Sequence, residues 1–281
     1  MLSYKHGFHA GNYADVVKHA VLGECLRYMK QKPKPLVYID THAGCGGYRL
    51  RSDEARKTGE AEKGILKLLR AEAMPPVLST YVAQVQALQN RPGAEDYYPG
   101  SPKLAADLLG PEDRLLLFEA HSAEAPRLRQ RFARDARVRV AQSDGFAGLL
   151  ANLPPPERRG VILIDPSYEV KSDYSTVISS LQKAHRRFAQ GVFLLWYPVV
   201  ERRRIKAMEA ALQGSGIRRI LQLELAVRPD GIKAGMTAAG LFVVNPPYTL
   251  RESMEPVLAY LSGCLAESAA AGFTCRELVG E

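Results

Sequence analysis

The chain has 281 residues, 46% hydrophobic and 24% charged, with 38 basic residues against 30 acidic and a net charge of +8. That length suits one large domain, or one domain carrying an insertion, with a sizeable core. The charge favours polyanionic partners, nucleic acid above all, without proving one. The first residues, MLSYKHGFHAGNY, have no apolar h-region, so no signal peptide is expected. The longest apolar run, VFLLWYPVV at 192–200, is too short for a bilayer span and contains a proline. Cys25, Cys45, Cys264 and Cys275 form no CxxC pair and read as reduced thiols of a cytoplasmic protein.

In chain order, apolar runs bounded by turn residues predict strands at 36–40, 114–119, 137–141, 160–165, 191–197, 218–227 and 239–245. Amphipathic patterns predict helices at 13–31, 102–109, 122–135, 174–189 and 201–214. This alternation means crossover units and a largely parallel sheet with helices on both faces. Seven such strands point to an α/β, Rossmann-like doubly wound fold, in which ligands bind at the carboxyl ends of the strands.

Polar residues gather at those ends. Asp40 closes the first strand and leads into THAGCGGY; Glu119 closes the second; Ser143-Asp144-Gly145 follows the third; Asp165 closes the fourth. Gly44, Gly46 and Gly47 would let the backbone approach a ligand closely. An AGxGG loop alone is also an ordinary strand-to-helix turn. An acid such as Glu119 adds value to it, since this position commonly grips ribose hydroxyls, usually about 20 residues after the glycine loop. Here Gly46 and Glu119 are 73 residues apart. The excess implies an insertion of roughly 50 residues, with helices at 60–72 and 75–90 and a return loop at 91–102. The expected organisation is a tail, helix, first strand and glycine loop over 1–48, a small inserted helical subdomain over 49–100 on the rim of the site, and the rest of the main domain over 101–281.

Two stretches share one design: VILIDPSYEV at 161–170 and LFVVNPPYTL at 241–250. The pattern D/N-P-P-aromatic marks enzymes that methylate exocyclic amino groups of bases. An adenine N6 lone pair is delocalised and weakly nucleophilic. A carboxylate and a backbone carbonyl accepting its two N–H bonds free that lone pair and help to remove a proton. Proline fixes the turn, and the aromatic stacks on an extruded base. Asp165, Pro166 and Tyr168 are the expected catalytic set, because Asp165 ends the strand expected beside the glycine loop. Asn245 ends what reads as the last strand, and its NPPY is expected to be a structural turn. Ser167 replaces the commoner second proline.

The segments MLSYKHGFHAGNYADVVKH, YIDTHAGCGGY, YPGSP, DPSYEVKSDY, LWYPV and MTAAGLFVVNPP closely resemble the RlmJ-type family of 23S ribosomal RNA adenine-N6 methyltransferases, over nearly the whole chain. The resemblance implies a class I methyltransferase fold, S-adenosylmethionine as methyl donor without a metal, and adenine in large-subunit rRNA as acceptor. By matching motif, His19, His42, Ser101, Glu119, Asp144, Gly145 and Asp165 would line the donor pocket together with Gly44 and Gly46. Tyr4, on a tail that closes over the site, and Tyr168 would touch the RNA. A monomer acting on 23S rRNA that is protein-free or early in assembly is the expected working state.

Other readings remain open at this level. A DNA adenine methyltransferase would use the same DPSY chemistry, although the insertion is small for a sequence-reading domain. A non-catalytic binder of S-adenosylmethionine or RNA leaves Asp165 and Tyr168 unexplained. A nicotinamide dehydrogenase lacks a convincing GxGxxG. His6, His9 and His19, with Cys25 nearby, could suggest a metal but show no HExxH or ordered Cys/His framework. Lys18 reads either as a solvated helix residue or as an aid to the N-terminal segment or a phosphate. Basic runs at 127–139, 183–187 and 202–206 read mostly as solvated faces. No RRM or KH signature is present, so RNA would be held by the catalytic domain and its insertion.

Overall fold

Uninterrupted runs of Val, Ile and Leu suit strands buried on both faces, and they form the centre of the fold. The computed structural model describes residues 6–231 and 235–281. After a 3-10 turn at His6–Phe8 come α1 (Tyr13–Lys30), β1 (Val37–Asp40), β2 (Gly47–Arg49), α2 (Asp53–Thr58), a second 3-10 turn (Glu60–Lys63), α3 (Ile65–Leu68), α4 (Pro76–Gln89) and β3 (Tyr97–Pro99). Next are α5 (Ser101–Leu108), β4 (Arg114–Phe118), α6 (Glu124–Phe132), β5 (Val138–Ala141), α7 (Gly145–Ala151), β6 (Gly160–Ile164), α8 (Asp173–Arg187) and β7 (Val192–Val199). The chain ends with α9 (Arg202–Gln213), β8 (Ile220–Ala226), β9 (Ala238–Val244), α10 (Leu250–Cys264) and β10 (Gly272–Val279).

The main sheet has eight strands in the order β10-β8-β9-β7-β6-β1-β4-β5. From β5 to β7 every pairing is parallel; β9 runs antiparallel to both β7 and β8, and β10 antiparallel to β8. Alternate strand residues feed two cores. Tyr38, Leu115, Leu163 and Leu194 pack with α1 and α10 on one face. Ile39, Leu116, Ile162 and Phe193 pack with α8 and α9 on the other.

All seven predicted strands are present. The eighth, β10, carries Thr274, Arg276 and Glu277 among its residues and is only partly buried at the sheet edge, so it offers no apolar run. It is β10, rather than the strand ending at Asn245, that comes last. The insertion departs from the two-helix expectation: its helical pieces are α2, the second 3-10 turn, α3 and α4, and β2 pairs with β3 at its root. It has no core of its own. Ile65, Leu68, Tyr81 and Val85 join the cluster that contains Val17, Val21 and Leu22 of α1.

The antiparallel course of β9 separates the twin motifs. Asp165 follows the carboxyl end of β6, whereas Asn245 leaves β9 at the opposite edge of the sheet. There Asn245 Nδ2 donates to the carbonyls of Ala189 at 2.7 Å and Gly191 at 2.9 Å, just before β7. Its φ of +51° is one that asparagine tolerates better than most residues. Tyr248 of the same motif is 88% exposed. NPPY is therefore a strand-end turn. Asn245→Ala should lower stability by about 1–2 kcal/mol through lost hydrogen bonds and backbone strain. Urea denaturation measures this, and binding or chemistry at the Asp165 edge should be unchanged.

Candidate functional site

The carboxyl ends of β1, β4, β5, β6 and β7 open onto a cavity of about 500 Å³. His19, His42, Gly44, Ser101, Glu119, Asp144, Gly145, Asp165, Pro166 and Tyr168 all line it. Gly46, expected among them, does not. A side chain there would run into Leu128, Arg131 and Phe132 of α6, so this glycine serves loop packing. Tyr4 lies outside the described residues.

At one end, the loop after β1 meets the end of β4. Glu119 Oε2 accepts from Gly44 N at 2.8 Å and Oε1 from His121 N at 2.6 Å. Burial pushes this carboxyl above the ordinary range, against those two bonds. A carboxylate has about four acceptor sites, so both oxygens retain capacity. Gly145 opens α7 so close to Thr41 that a Cβ would lie 1.8 Å from the Thr41 carbonyl oxygen; glycine is obligatory there. Asp144 caps α7, accepting from Ala147 N at 2.7 Å. Ser101 begins α5 and donates to Asp40 Oδ2 at 2.7 Å, as Tyr38 does at 2.6 Å. Asp40 is thus a buried organiser of the floor.

His42 and His19 are held neutral. Burial takes His42 down to about 4 and His19 to about 3. His19 Nδ1 shares a hydrogen bond with Tyr98 Oη at 2.9 Å, and Tyr98 with Tyr81 at 2.7 Å. The other N-terminal histidines have carboxylate partners: His6 reaches Asp15 and His9 reaches Glu60, each at 2.9 Å. Among the described residues, no group of three or more His, Cys, Asp or Glu could hold a metal ion.

The centre of the site was the part least visible beforehand. Lys18 is neither solvated nor placed at an outer surface: it is 5% exposed. Its Nζ lies 2.6 Å from Asp165 Oδ2 and 2.9 Å from Asp15 Oδ1. Burial works against the Lys18 charge, but Asp15 and Asp165 outweigh it and hold the ammonium above its ordinary range. Asp165 is pushed up to about 6 by burial, with Lys18 pulling the other way. Asp15, on the first turn of α1, also accepts from Gly11 N at 2.9 Å. Heptad or apolar periodicity could not reveal Lys18; only the 147-residue closure onto Asp165 does.

Beyond Asp165 stands an aromatic wall. Tyr168 is 9% exposed, with its ring 4.6 Å from that of Tyr174 and 5.9 Å from that of Trp196, centroid to centroid. Its hydroxyl donates to the Trp196 carbonyl at 2.6 Å, and its φ is +55°. A bulky residue in that region is strained by about 1–3 kcal/mol. Tyr168, expected to stack on an extruded base, is itself packed against Tyr174 and Trp196, which also line the cavity and were not singled out from the sequence. Lys18 Nζ sits 5.7 Å from the Trp196 ring centroid.

Comparison with known proteins bears on this geometry. Residues 33–278 match the family model described as Ribosomal RNA large subunit methyltransferase D, RlmJ. The protein named Ribosomal RNA large subunit methyltransferase J from Escherichia coli K12 is 47% identical, and its namesake from Haemophilus influenzae 46%, each alignment spanning 100% of both chains. The crystal structure of protein LPL1258 from Legionella pneumophila superposes with a TM-score of 0.87 at 34% identity, covering 96% of this chain and 98% of that one.

If Lys18 restrains the Asp165 proton affinity, Lys18→Met should move the Asp165 titration above its value of about 6. Carboxyl-carbon NMR across pH 4 to 9 (a range of about 5 units, set by ordinary carboxylate behaviour) reads the midpoint directly. An unmoved midpoint would refute the pairing.

Proposed function

The chain belongs to the RlmJ family of large-subunit ribosomal RNA methyltransferases, and we propose that it moves a methyl group from S-adenosylmethionine to the N6 amino group of an adenine in 23S rRNA. The observation that carries this reading is the placement of Asp165. It stands between the Gly44–Glu119 end of the cavity and the aromatic wall, and Lys18 occupies its Oδ2.

The donor fits the first of these ends. Close backbone approach at Gly44 and Gly145, the Glu119 carboxylate for ribose hydroxyls, and neutral His42 and His19 suit an adenosyl group. Asp15, Glu60, Glu119, Glu124, Asp144, Asp165 and Asp173 line the cavity, with Lys18 the single Lys or Arg among the described lining residues. Such a surface favours a cationic sulfonium. When bound, the donor supplies an electrophilic methyl group and requires no metal.

The remaining work falls to the chain. Lys18 fixes one oxygen of Asp165, leaving Oδ1 to accept an N–H of the adenine amine. The Pro166 carbonyl accepts the other. Together they localise the nitrogen lone pair and stabilise the positive charge that develops on it. Tyr168, Tyr174 and Trp196 provide an apolar wall for a base taken out of its stack, and they exclude water. The insertion shares the main core, so among the described residues it is not a separate sequence-reading module, which favours RNA over DNA. No helix among the described residues is long and apolar enough to cross a membrane. The working setting we infer is the cytoplasm, with a monomer acting on rRNA before assembly covers the target.

Labelled methyl transfer to unmodified 23S rRNA, with the product nucleoside identified and DNA tested in parallel, decides the reading. N6-methyladenosine in RNA is the expected product; labelled DNA with inert RNA would reverse the substrate assignment. Glu119→Ala should weaken donor binding by roughly 1.5–3 kcal/mol for each hydrogen bond lost to the charged acceptor, as calorimetry would measure.

The pH dependence follows from the same carboxylate. Asp165 must be ionised to accept and stabilise the amine, so the rate should fall as pH drops through about 6. Asp165→Asn should slow single-turnover transfer by about a hundredfold or more in a folded protein and abolish that acidic limb. Tyr168→Ala should also be severe, since base–aromatic contacts contribute about 1–3 kcal/mol. An active Asp165→Asn variant would exclude Asp165 from the chemistry.

A further inference from the structure

The loop after β1 is made permissive by its glycines: Gly44 has φ +57° and Gly46 φ +76°. Permissiveness leaves a problem, because a loop that samples many shapes binds its ligand weakly in proportion to the fraction in the competent shape. Three successive carbonyls of this loop, from Cys45 to Gly47, turn toward one feature outside the cavity. Arg131 of α6 donates from Nε to Cys45 O at 3.0 Å and from Nη2 to Gly47 O at 3.2 Å. Its Nη1 donates to Tyr97 Oη at 2.7 Å, and the guanidinium lies 5.0 Å over the Tyr97 ring. Tyr97 Oη reaches back toward Gly46 O at 3.5 Å. Leu128 and Phe132, from the same helix, fill the space that a side chain at 46 would need.

We propose that Arg131, with Tyr97, is a positioning residue that clamps the glycine loop in its donor-binding shape. It does not line the cavity, so it acts through the loop. The connection is short: α6 follows Glu119 by only a few residues, and Glu119 takes the amide of Gly44. The helix that holds the loop thus starts just beyond the acid assigned to the ribose. A fork of two N–H directions is needed, since the two carbonyls are two residues apart; a lysine ammonium can serve one while keeping the charge. The sequence disguises this role, because Arg131 sits in a run of surface arginines with Arg127, Arg129 and Arg134.

The proposal rests on the donor reading, and its test separates the two. S-adenosylmethionine is titrated calorimetrically into wild type, Arg131→Gln, Arg131→Lys and Tyr97→Phe, with folding checked by circular dichroism. Arg131→Gln should raise the dissociation constant by about tenfold, through the reduced competent fraction. Arg131→Lys should raise it by several-fold and Tyr97→Phe by less, because the ring contact survives. In steady state KM for the donor should rise by the same factors, with kcat at saturation and KM for RNA within about twofold, as expected for a binding-only effect. A wild type that fails to bind the donor sinks the donor reading and the clamp with it. A wild type that binds, with dissociation constants unchanged in both Arg131 variants, sinks the clamp alone and leaves a surface staple. A fall in kcat at unchanged donor KM also overturns it. Should Arg131→Gln not fold, the lysine and Tyr97→Phe variants carry the same comparison.

Discussion

A buried ammonium held between two carboxylates is the constraint on which the site depends. Asp15 and Asp165 come from distant parts of the chain, and both are withdrawn from water. Two such anions side by side would repel by about 4 kcal/mol at 4 Å and an effective dielectric near 20. Lys18 converts that repulsion into a bridge from the first turns of α1 to the end of β6. The desolvation cost is large, and buried ion groups of this kind seldom add net stability. Their value here is geometric. Asp165 is fixed at one oxygen and its charge is defended against burial. Because Asp15 also takes the Gly11 amide and a nitrogen of His6, the segment before α1 is tied to the same point.

This arrangement explains how a basic protein can carry an acidic cavity. The chain has a net charge of +8, yet Lys18 is the one Lys or Arg among the described cavity-lining residues, and it is already engaged. A phosphate would meet carboxylates there, whereas a neutral or cationic group suits the lining. On the proposed reading, base extrusion would suit such a cavity, since it delivers an uncharged ring and leaves the backbone outside.

Much of this was legible in the sequence, for identifiable reasons. Strands buried on both faces write themselves as apolar runs, so the centre of the sheet and its polar carboxyl ends could be read directly. Asp165 and Glu119 were visible because each closes such a run. Asp165 and Asn245 were separated in the sequence by distance from the glycine loop; in the structure they are separated by the reversal of β9, and strand direction leaves little trace in a local pattern. β10 was missed because an edge strand can be polar. Lys18 was singled out but its pairing with Asp165 was not, because that contact closes over 147 residues. Tyr174 and Trp196 were not singled out, because an aromatic beside a motif looks like any core residue until its ring is placed against Tyr168. Gly46, expected at the cavity, packs against α6 instead, and a glycine required by packing looks the same in sequence as one required by a ligand.

Ser167 is the remaining departure from the commoner motif, and the structure shows why the turn tolerates it. A second proline would stiffen the backbone at 167, just before a residue that must enter the left-handed region. Here that entry is secured from the other side. The Tyr168 hydroxyl is fastened to the Trp196 carbonyl on β7, and its ring is wedged between Tyr174 and Trp196. Those contacts offset a strain of about 1–3 kcal/mol without any help from residue 167. Pro166 still directs the chain away from β6, and Lys18 still sets Asp165. The shape of the motif is thus held by the neighbouring strand and helix rather than by the residue at 167.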